Sequence, residues 1–380
     1  MKRKFWIAAT AVIIIGLIIA AVTTLVQRKP NDVKFGAILS LTGDAASYGT
    51  MMKNGMEIAQ DEVNTSGGIN GKKLDMIYED SQFDPTDAAS AAQKLINVDH
   101  VQVITGITGS KNALAVAPIA NANKVVIVDA LSSAAELTTK GGKYYFRIMP
   151  SDDFSGMYVA QWAISNAWKN GVILYADDDW GKGIENSAAS KFESLGGKIA
   201  LSEPVETGTN DFRTVVTKVA MAKPDVVFLF AYAPEAAIFV KQMREFNVKT
   251  HYIGSDNLSA GEFAKVGADV VDGVMFDLPA EGSGPAYDSF RSAYKAKFGE
   301  YPSVNSIKAY DVVKLAAFVV SKVGYDGVKI QEFLADSLAN DNYHGASGKI
   351  VFDQNGDIEN PQYDKMIYEN GQYVKMSTEK

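Results

Sequence analysis

The sequence predicts an α/β chain of two units in series, each a parallel sheet with helices on both faces. Three observations carry this. From Val33 to Phe276, short apolar runs of strand composition alternate with amphipathic helical stretches, the rhythm of parallel sheets. The alternation falls into two series separated by Tyr144–Asp153, Y-Y-F-R-I-M-P-S-D-D, which reads as a crossing segment. Roughly 350 of the 380 residues follow the N-terminal apolar segment, a length that suits two domains rather than one.

In the first series, Val33–Leu39 alternates into a strand and Ser40–Gly49 is a loop of small and hydroxyl residues. Thr50–Val63 carries Met52, Met56, Ile58, Ala59 and Val63 at helical spacing. Ser66–Gly71 is a turn that lacks the Lys-Ser/Thr ending of a phosphate loop. Lys73–Tyr78 is a strand, and Asp84-Pro85 opens a helix to about Val98, with Pro at an early helical position. Val101–Ile104 is a strand that breaks at Thr105–Ser110; a helix, Asn112–Ala122, and a strand, Val125–Val128, follow. Ser132 and Ser133 precede Ala134–Leu137, so one of them is expected to be an N-cap, and a hydroxyl there can also donate to an anion.

The second series has strands at Val172–Tyr175, Lys198–Val205, Val226–Phe230, His251–Ile253 and Val274–Phe276. Helices Gly183–Leu195, Asp211–Met221 and Pro234–Phe246 lie between them. Past Pro279 the rhythm changes to successive helices, Ala286–Phe298, Ser303–Val323 and Lys329–Ser337. Three short strands close the chain near Lys349–Phe352, Gln362–Tyr368 and Gln372–Met376.

Open parallel sheets bind ligands beyond the carboxyl ends of their strands. Those ends are Ser40–Gly49, Thr105–Ser110, Asp129–Ala134, Ala176–Trp180, Ala231–Pro234 and Gly254–Asn257; if the two series face each other, all six line one cleft. The stretch Ile104–Pro118 ends a strand in small residues just before a helix. That leaves helix N–H groups open to an anion, and Gly106 and Gly109 permit close approach. An ordinary βα turn has the same composition. Trp180, at a strand end, covers either its own core or a ligand. Asp256, in I-G-S-D-N, either pairs an ammonium or caps a turn. Tyr48 and Tyr232 stack on a ligand or close their own loops, while Trp162 and Trp168 read as packing.

Catalysis finds little support. His100, His251 and His344 are scattered, and no nucleophile elbow, zinc pair or Gly-rich nucleotide fingerprint is present. Asp177-Asp178-Asp179 lacks the spacing of a calcium loop and reads as N-cap and dipole partners of the next helix. Neither a metal nor a cofactor is expected.

The chain opens M-K-R-K and runs uncharged from Phe5 to Gln27, long enough to span a bilayer. The positive-inside rule puts the N-terminus in the cytoplasm and everything after Pro30 outside. Ala21-Val22-Thr23 is a poor cleavage site. An uncleaved membrane anchor is therefore expected for residues 1–30, with a cleaved signal as the alternative. There is no Cys, hence no disulfide, thiolate site or lipidated Cys. Five Lys and Arg lie at positions 2, 3, 4, 28 and 29; beyond them 32 face 45 Asp and Glu, a net charge of −13. With no basic run, nucleic acid and anionic membrane surfaces are excluded as partners.

Several segments, in order, carry a resemblance: G-A-I-L-S-L-T-G-D-A-A-S-Y-G, N-G-M-E-I-A, G-G-I-N-G-K-K-L, D-S-Q-F-D-P, V-I-T-G-I-T-G-S, A-E-L-T and G-K-I-V-F-D-Q-N-G-D. Together they resemble the type I periplasmic binding proteins of branched-chain amino acid transporters, the leucine/isoleucine/valine-binding branch. The resemblance implies two Rossmann-like lobes in a hinged clamshell, joined by three crossovers near Met149–Asp152, Phe276–Glu281 and Tyr343–Gly348. Lobe 1 is then 31–150 plus 280–343, and lobe 2 is 151–279 plus 344–380. Carried over position by position, the carboxylate pocket of amino-acid binders falls on Gly109, Ser110, Leu131 and Ser133, where relatives often have Ser for Gly109 and Thr for Ser133. Tyr48 matches a first-lobe aromatic. Trp180 falls where Tyr is common, Tyr232 on a second-lobe contact, and Asp256 where an acid holds the ligand ammonium. The implied function is capture of a small ligand, an amino acid first of all, outside the cytoplasm and its delivery to the permease of an ABC transporter. A membrane-anchored ligand sensor, or a binder of amide, urea-like or aromatic ligands, is the alternative.

Overall fold

The computed structural model describes residues 32–43 and 45–377. The expected anchor, Phe5–Gln27, lies outside the described residues. Among the described residues no helix is long and apolar enough to cross a membrane.

The first unit is built from strands β1 Val33–Leu39, β2 Leu74–Asp80, β3 Val103–Ile107, β4 Val126–Asp129 and β5 Tyr145–Arg147, with helices α1 Ala46–Thr65, α2 Pro85–Asn97 and α3 Ser110–Asn123 between them. All pairs are parallel, in the order β2-β1-β3-β4-β5. Asp84 caps α2, its carboxylate accepting from the N–H of Thr86 at 2.7 Å and of Asp87 at 3.1 Å, and Pro85 needs no partner at the first helical position.

The second unit has α4 Asp152–Ser165, β6 Asn170–Ala176, α5 Asp179–Ser194, β7 Lys198–Val205, α6 Arg213–Ala222, β8 Val226–Phe230, α7 Ala233–Glu245, β9 His251–Gly254 and β10 Met275–Pro279. The chain then returns to the first unit as α8 Pro285–Phe298 and α9 Val304–Val323. A two-residue pair, β11 His344–Gly345 with β12 Gly348–Lys349, precedes β13 Tyr363–Glu369 and β14 Gln372–Lys375. The second sheet runs β14-β13-β10-β9-β8-β6-β7. Its parallel part, β7 to β10, repeats the order of the first sheet. β13 and β14 extend it antiparallel. The chain thus crosses between units three times, after β5, after β10 and before β13.

Alternate residues of each central strand enter different cores, because successive side chains face opposite sides of a sheet. In β3, Val103 joins Met52, Met56 and the α9 residues Ile307 and Val312; Ile104 and Ile107 join Leu95 and Val116 on the other face. In the second unit, Leu174 and Leu229 meet Phe239, while Ile173 and Phe228 meet Phe192 and Trp162. Burying each such side chain is worth about 1.5–3 kcal/mol.

Several elements start earlier than the sequence pattern indicates. α1 begins at Ala46 rather than Thr50, α3 at Ser110 rather than Asn112, and α5 at Asp179 rather than Gly183, while β3 continues to Ile107. The reason is common to all three: small and polar residues suit the first turn of a helix as well as a loop. Within that turn position 49 must be Gly, because a Cβ there would stand 2.0 Å from Ser40 O. Neither Ser132 nor Ser133 caps a helix. The following helix is only Leu137–Lys140 and has no side-chain cap, because the N–H groups of Ser133 and Ala134 both turn to Ser110 Oγ. The strand expected at Lys349–Phe352 shrinks to Gly348–Lys349, with Phe352 bridging Ile358 instead. The helix expected over Lys329–Ser337 is Gly327–Glu332 followed by a π turn at Phe333–Ser337. Trp168 lies past the end of α4 and stacks on His251 at 4.4 Å.

Candidate functional site

The carboxyl edges of the two sheets face each other across a cleft. From the first unit come Tyr48, Phe83, the Thr108–Gly109–Ser110 turn, Leu131 and Ser133; from the second, Trp180, Tyr232, Asp256 and Asn257. They enclose a cavity of about 50 Å³, against the ~10–15 Å³ that one water needs. The space suits a small molecule.

Its second-unit wall is a rigid aromatic assembly. Asp178 caps α5 by accepting from Gly181 N–H at 3.0 Å and takes the Tyr232 hydroxyl at 2.7 Å. Tyr232 therefore offers a ligand its ring rather than its hydroxyl. Trp180 lies parallel to that ring at 4.9 Å. Tyr48 reaches across from the first unit: its hydroxyl donates to Asn257 O at 3.5 Å and accepts from Ala233 N–H at 3.4 Å. Phe83, also from the first unit, meets Tyr232 edge-on at 5.3 Å. The units are closed on each other.

The first-unit wall offers hydrogen-bond donors. The β3–α3 connection is two residues long, Thr108 and Gly109, so the first N–H groups of α3 point into the cleft with the positive end of the helix dipole. Ser110 Oγ accepts from Ser133 N–H at 3.2 Å and Ala134 N–H at 3.1 Å, which leaves its own proton available to a ligand oxygen. Behind this wall Arg147 is fully buried. Its guanidinium pairs with Asp357 at 2.5 Å and donates to Ala134 O at 2.8 Å and Thr138 Oγ1 at 2.8 Å, fixing the loop that carries Leu131 and Ser133.

Gly109 has φ +92°, and a Cβ there would meet Phe83 Cε2 at 2.4 Å. The Phe83 ring thus occupies the space of a side chain at 109, with Lys111 Nζ 4.0 Å from its centre. Backbone and Ser110 are what remain to hold an anion.

Opposite stands Asp256, half-buried at the end of β9. Burial pushes its carboxyl up to about 6, against the opposing effect of the Lys308 ammonium and of the Asp256 and Asn257 N–H groups. Asp152 and Asp277 lie behind it, almost wholly buried, each with one carboxylate oxygen lacking a hydrogen-bond partner. Burial and the charge of Asp256 raise both. The charge of Arg147, and then Ser133 and Trp180, oppose the rise at Asp152, and Ser155 donates to Asp277 at 3.1 Å.

Of the residues singled out from sequence, Tyr48, Gly109, Ser110, Leu131, Ser133, Trp180, Tyr232 and Asp256 meet in this cavity. Ser132 does not: it is buried, and its hydroxyl turns to Ile107 O at 3.4 Å. Phe83, Thr108 and Asn257 were missed as individual residues. Phe83 had a signal, since it follows the carboxyl end of β2, one of the four parallel strands left out of the six. Arg147 and Lys308 had none. Asp177 pairs with Lys182 at 2.7 Å, and among the described residues no group of three or more His, Asp or Glu is placed to hold a metal.

Two α/β units of like topology, crossed three times by the chain and closed on a small polar and aromatic cavity, define a clamshell binding protein. The chain belongs to the periplasmic binding protein family, whose model matches residues 32–363; within it, the type I proteins of branched-chain amino acid ABC transporters are its branch. It is similar to the leucine-, isoleucine-, valine-, threonine- and alanine-binding protein of Pseudomonas aeruginosa, 26% identical over 89% of this chain and 90% of that one. Among solved structures it is similar to a leucine-binding protein from Thermotoga maritima, at 29% identity over 91% of this chain and 98% of that one, with a TM-score of 0.83. A branched-chain amino acid transporter substrate-binding protein from Streptococcus pneumoniae, in complex with isoleucine, gives 26% identity, coverage of 91% and 100%, and a TM-score of 0.82.

Proposed function

We propose that this protein captures an aliphatic α-amino acid between its lobes outside the cytoplasm and presents it to the permease of an ABC transporter, with no chemical turnover. The observation that carries this reading is the opposition of charges across the cleft. An anion site of helix N–H groups and Ser110 faces the single charged side chain of the cavity, Asp256. A zwitterion fits both: its carboxylate on the first lobe, its ammonium on Asp256 and its side chain against Leu131, Trp180 and Tyr232. Leaving Asp256 ionised and unpaired on closure is unfavourable, so a cationic group on the ligand is selected. The relatives' named ligands support the aliphatic choice. The N-terminal segment would tether the lobes to the membrane, within reach of the permease.

A second reading, an amide or aromatic ligand, is favoured by one observation: Phe83 stands where a hydroxyl at position 109 would otherwise bind a carboxylate. Calorimetric titration with leucine, an aliphatic amide and benzoate separates the two. Saturable binding of leucine alone supports the proposal; binding of the amide or benzoate with none of leucine replaces it.

A further inference from the structure

Where the three crossovers meet, the structure holds a second cavity, of about 380 Å³, which shares no lining residue with the ligand cleft. Ile148 and Pro150 come from the first crossover, Pro279 and Ala280 from the second and Asn360 and Pro361 from the third, with Ile350 and Val351 of the first unit beside them. Its apolar surface comes from Ala280, Val351, Ile358 and Pro361, with Ser347, Asn360 and Gln362 between them, and part of it lies on the segments that join the lobes.

One buried charge lies on this wall, Lys308 of α9, 6% exposed. Its ammonium donates to Ile148 O at 3.0 Å; its two other N–H groups have no acceptor among the described residues. Two carboxylates are within electrostatic reach, Asp311 and Asp256. Asp311 is engaged elsewhere, accepting from Ala346 N–H and Ser347 N–H at 2.7 Å each and from the Ser347 hydroxyl at 2.5 Å. Asp256 lines the ligand cleft. At the rim, Lys349 and Glu359 are exposed, opposite in sign and screened by solvent. The net character is a chamber with an apolar patch and a buried cation that has donors to spare. A carboxylate on a short hydrocarbon matches both parts.

We propose that this hinge chamber is a second ligand site, which takes a short-chain monocarboxylate with its anion on Lys308 and its chain against Ala280, Val351 and Ile358. Such a ligand lies against the segments that join the lobes, so it biases the angle between the lobes and couples to the cleft through Lys308 and Asp256. The site stands independently of which ligand the cleft takes.

Hexanoate is the probe, titrated calorimetrically into the full chain at neutral pH. Saturable binding is expected in the parent protein and, within about twofold, in Trp180→Ala, which alters only the cleft. Val351→Trp fills the chamber and Lys308→Met removes the cation; each should weaken hexanoate at least about tenfold. Val351 is half-buried, so its variant keeps the test alive if Lys308→Met does not fold. Absence of saturable binding in the parent, survival of binding in Val351→Trp, or its loss in Trp180→Ala overturns the proposal.

Discussion

Asp256 is ionised above about pH 6 and protonated below it. A ligand ammonium pairs with the ionised form alone, so affinity for an amino acid should fall as pH drops from about 7 to about 5. The sign follows from linkage: binding a cation lowers the Asp256 pKa, so ligand and proton compete. Asp256→Asn should flatten the profile, and Asp256→Ala should weaken binding by about 2–5 kcal/mol; calorimetry across that pH range checks both. A steep profile retained in Asp256→Asn would move the titration to another group. Gly109 and Phe83 form a second residue-scale test. Gly109→Ser should impair binding, because a Cβ there collides with the Phe83 ring at a positive φ. Phe83→Ala should relieve much of that loss and restore a hydroxyl to the anion site. The double-mutant cycle is expected to be non-additive by about 1–3 kcal/mol, and additivity would show that the two side chains do not share one space.

At the scale of elements, the site is held by the ends of strands and the first turns of helices, and this is where sequence reading was both strongest and weakest. Strands β1, β7 and β8 were legible to the residue, because apolar or alternating runs between turn signals have few alternatives. The helix starts were not, since Ala45–Gly49 and Asp177–Gly181 look alike as loop or first turn. Tyr48, Ser110 and Trp180 owe their fixed aim to that difference: a helix's first turn is stiff where a loop is not. Six of the strand ends lining the cleft were legible from the parallel-sheet rule. The seventh, carrying Phe83, obeys the same rule. What periodicity cannot reveal is a long-range polar link, such as Arg147 to Asp357, 210 positions apart. That pair braces the loop of Leu131 and Ser133 and is deeply buried. Arg147→Met should therefore destabilise the fold by about 3–5 kcal/mol, by leaving Asp357 unpaired. Chemical denaturation measures this, and a loss below about 1 kcal/mol would mean that the link is dispensable.

For the whole molecule, the proposed capture rests on two lobes changing their relation. Tyr48 with Asn257 and Ala233, and Phe83 with Tyr232, are contacts that join the two lobes across the cleft. Tyr48→Phe removes the hydroxyl contacts yet keeps the ring. It should shift the ligand-free protein toward open forms and weaken binding several-fold, visible as a larger radius of gyration in solution scattering. Trp180 sits in the cleft against Tyr232, so its fluorescence should change on saturation and report closure directly.

The central claim is that the cleft holds a zwitterion, carboxylate on the first lobe and ammonium on Asp256. Calorimetric titration of the Val351→Trp protein, whose hinge chamber is filled, with L-leucine and with 4-methylpentanoate, the same skeleton without the ammonium, tests it most directly. The account predicts saturable 1:1 binding of leucine and at least about 100-fold weaker binding of the acid at the cleft. Equal affinity for the two, or binding of the acid alone, would contradict it.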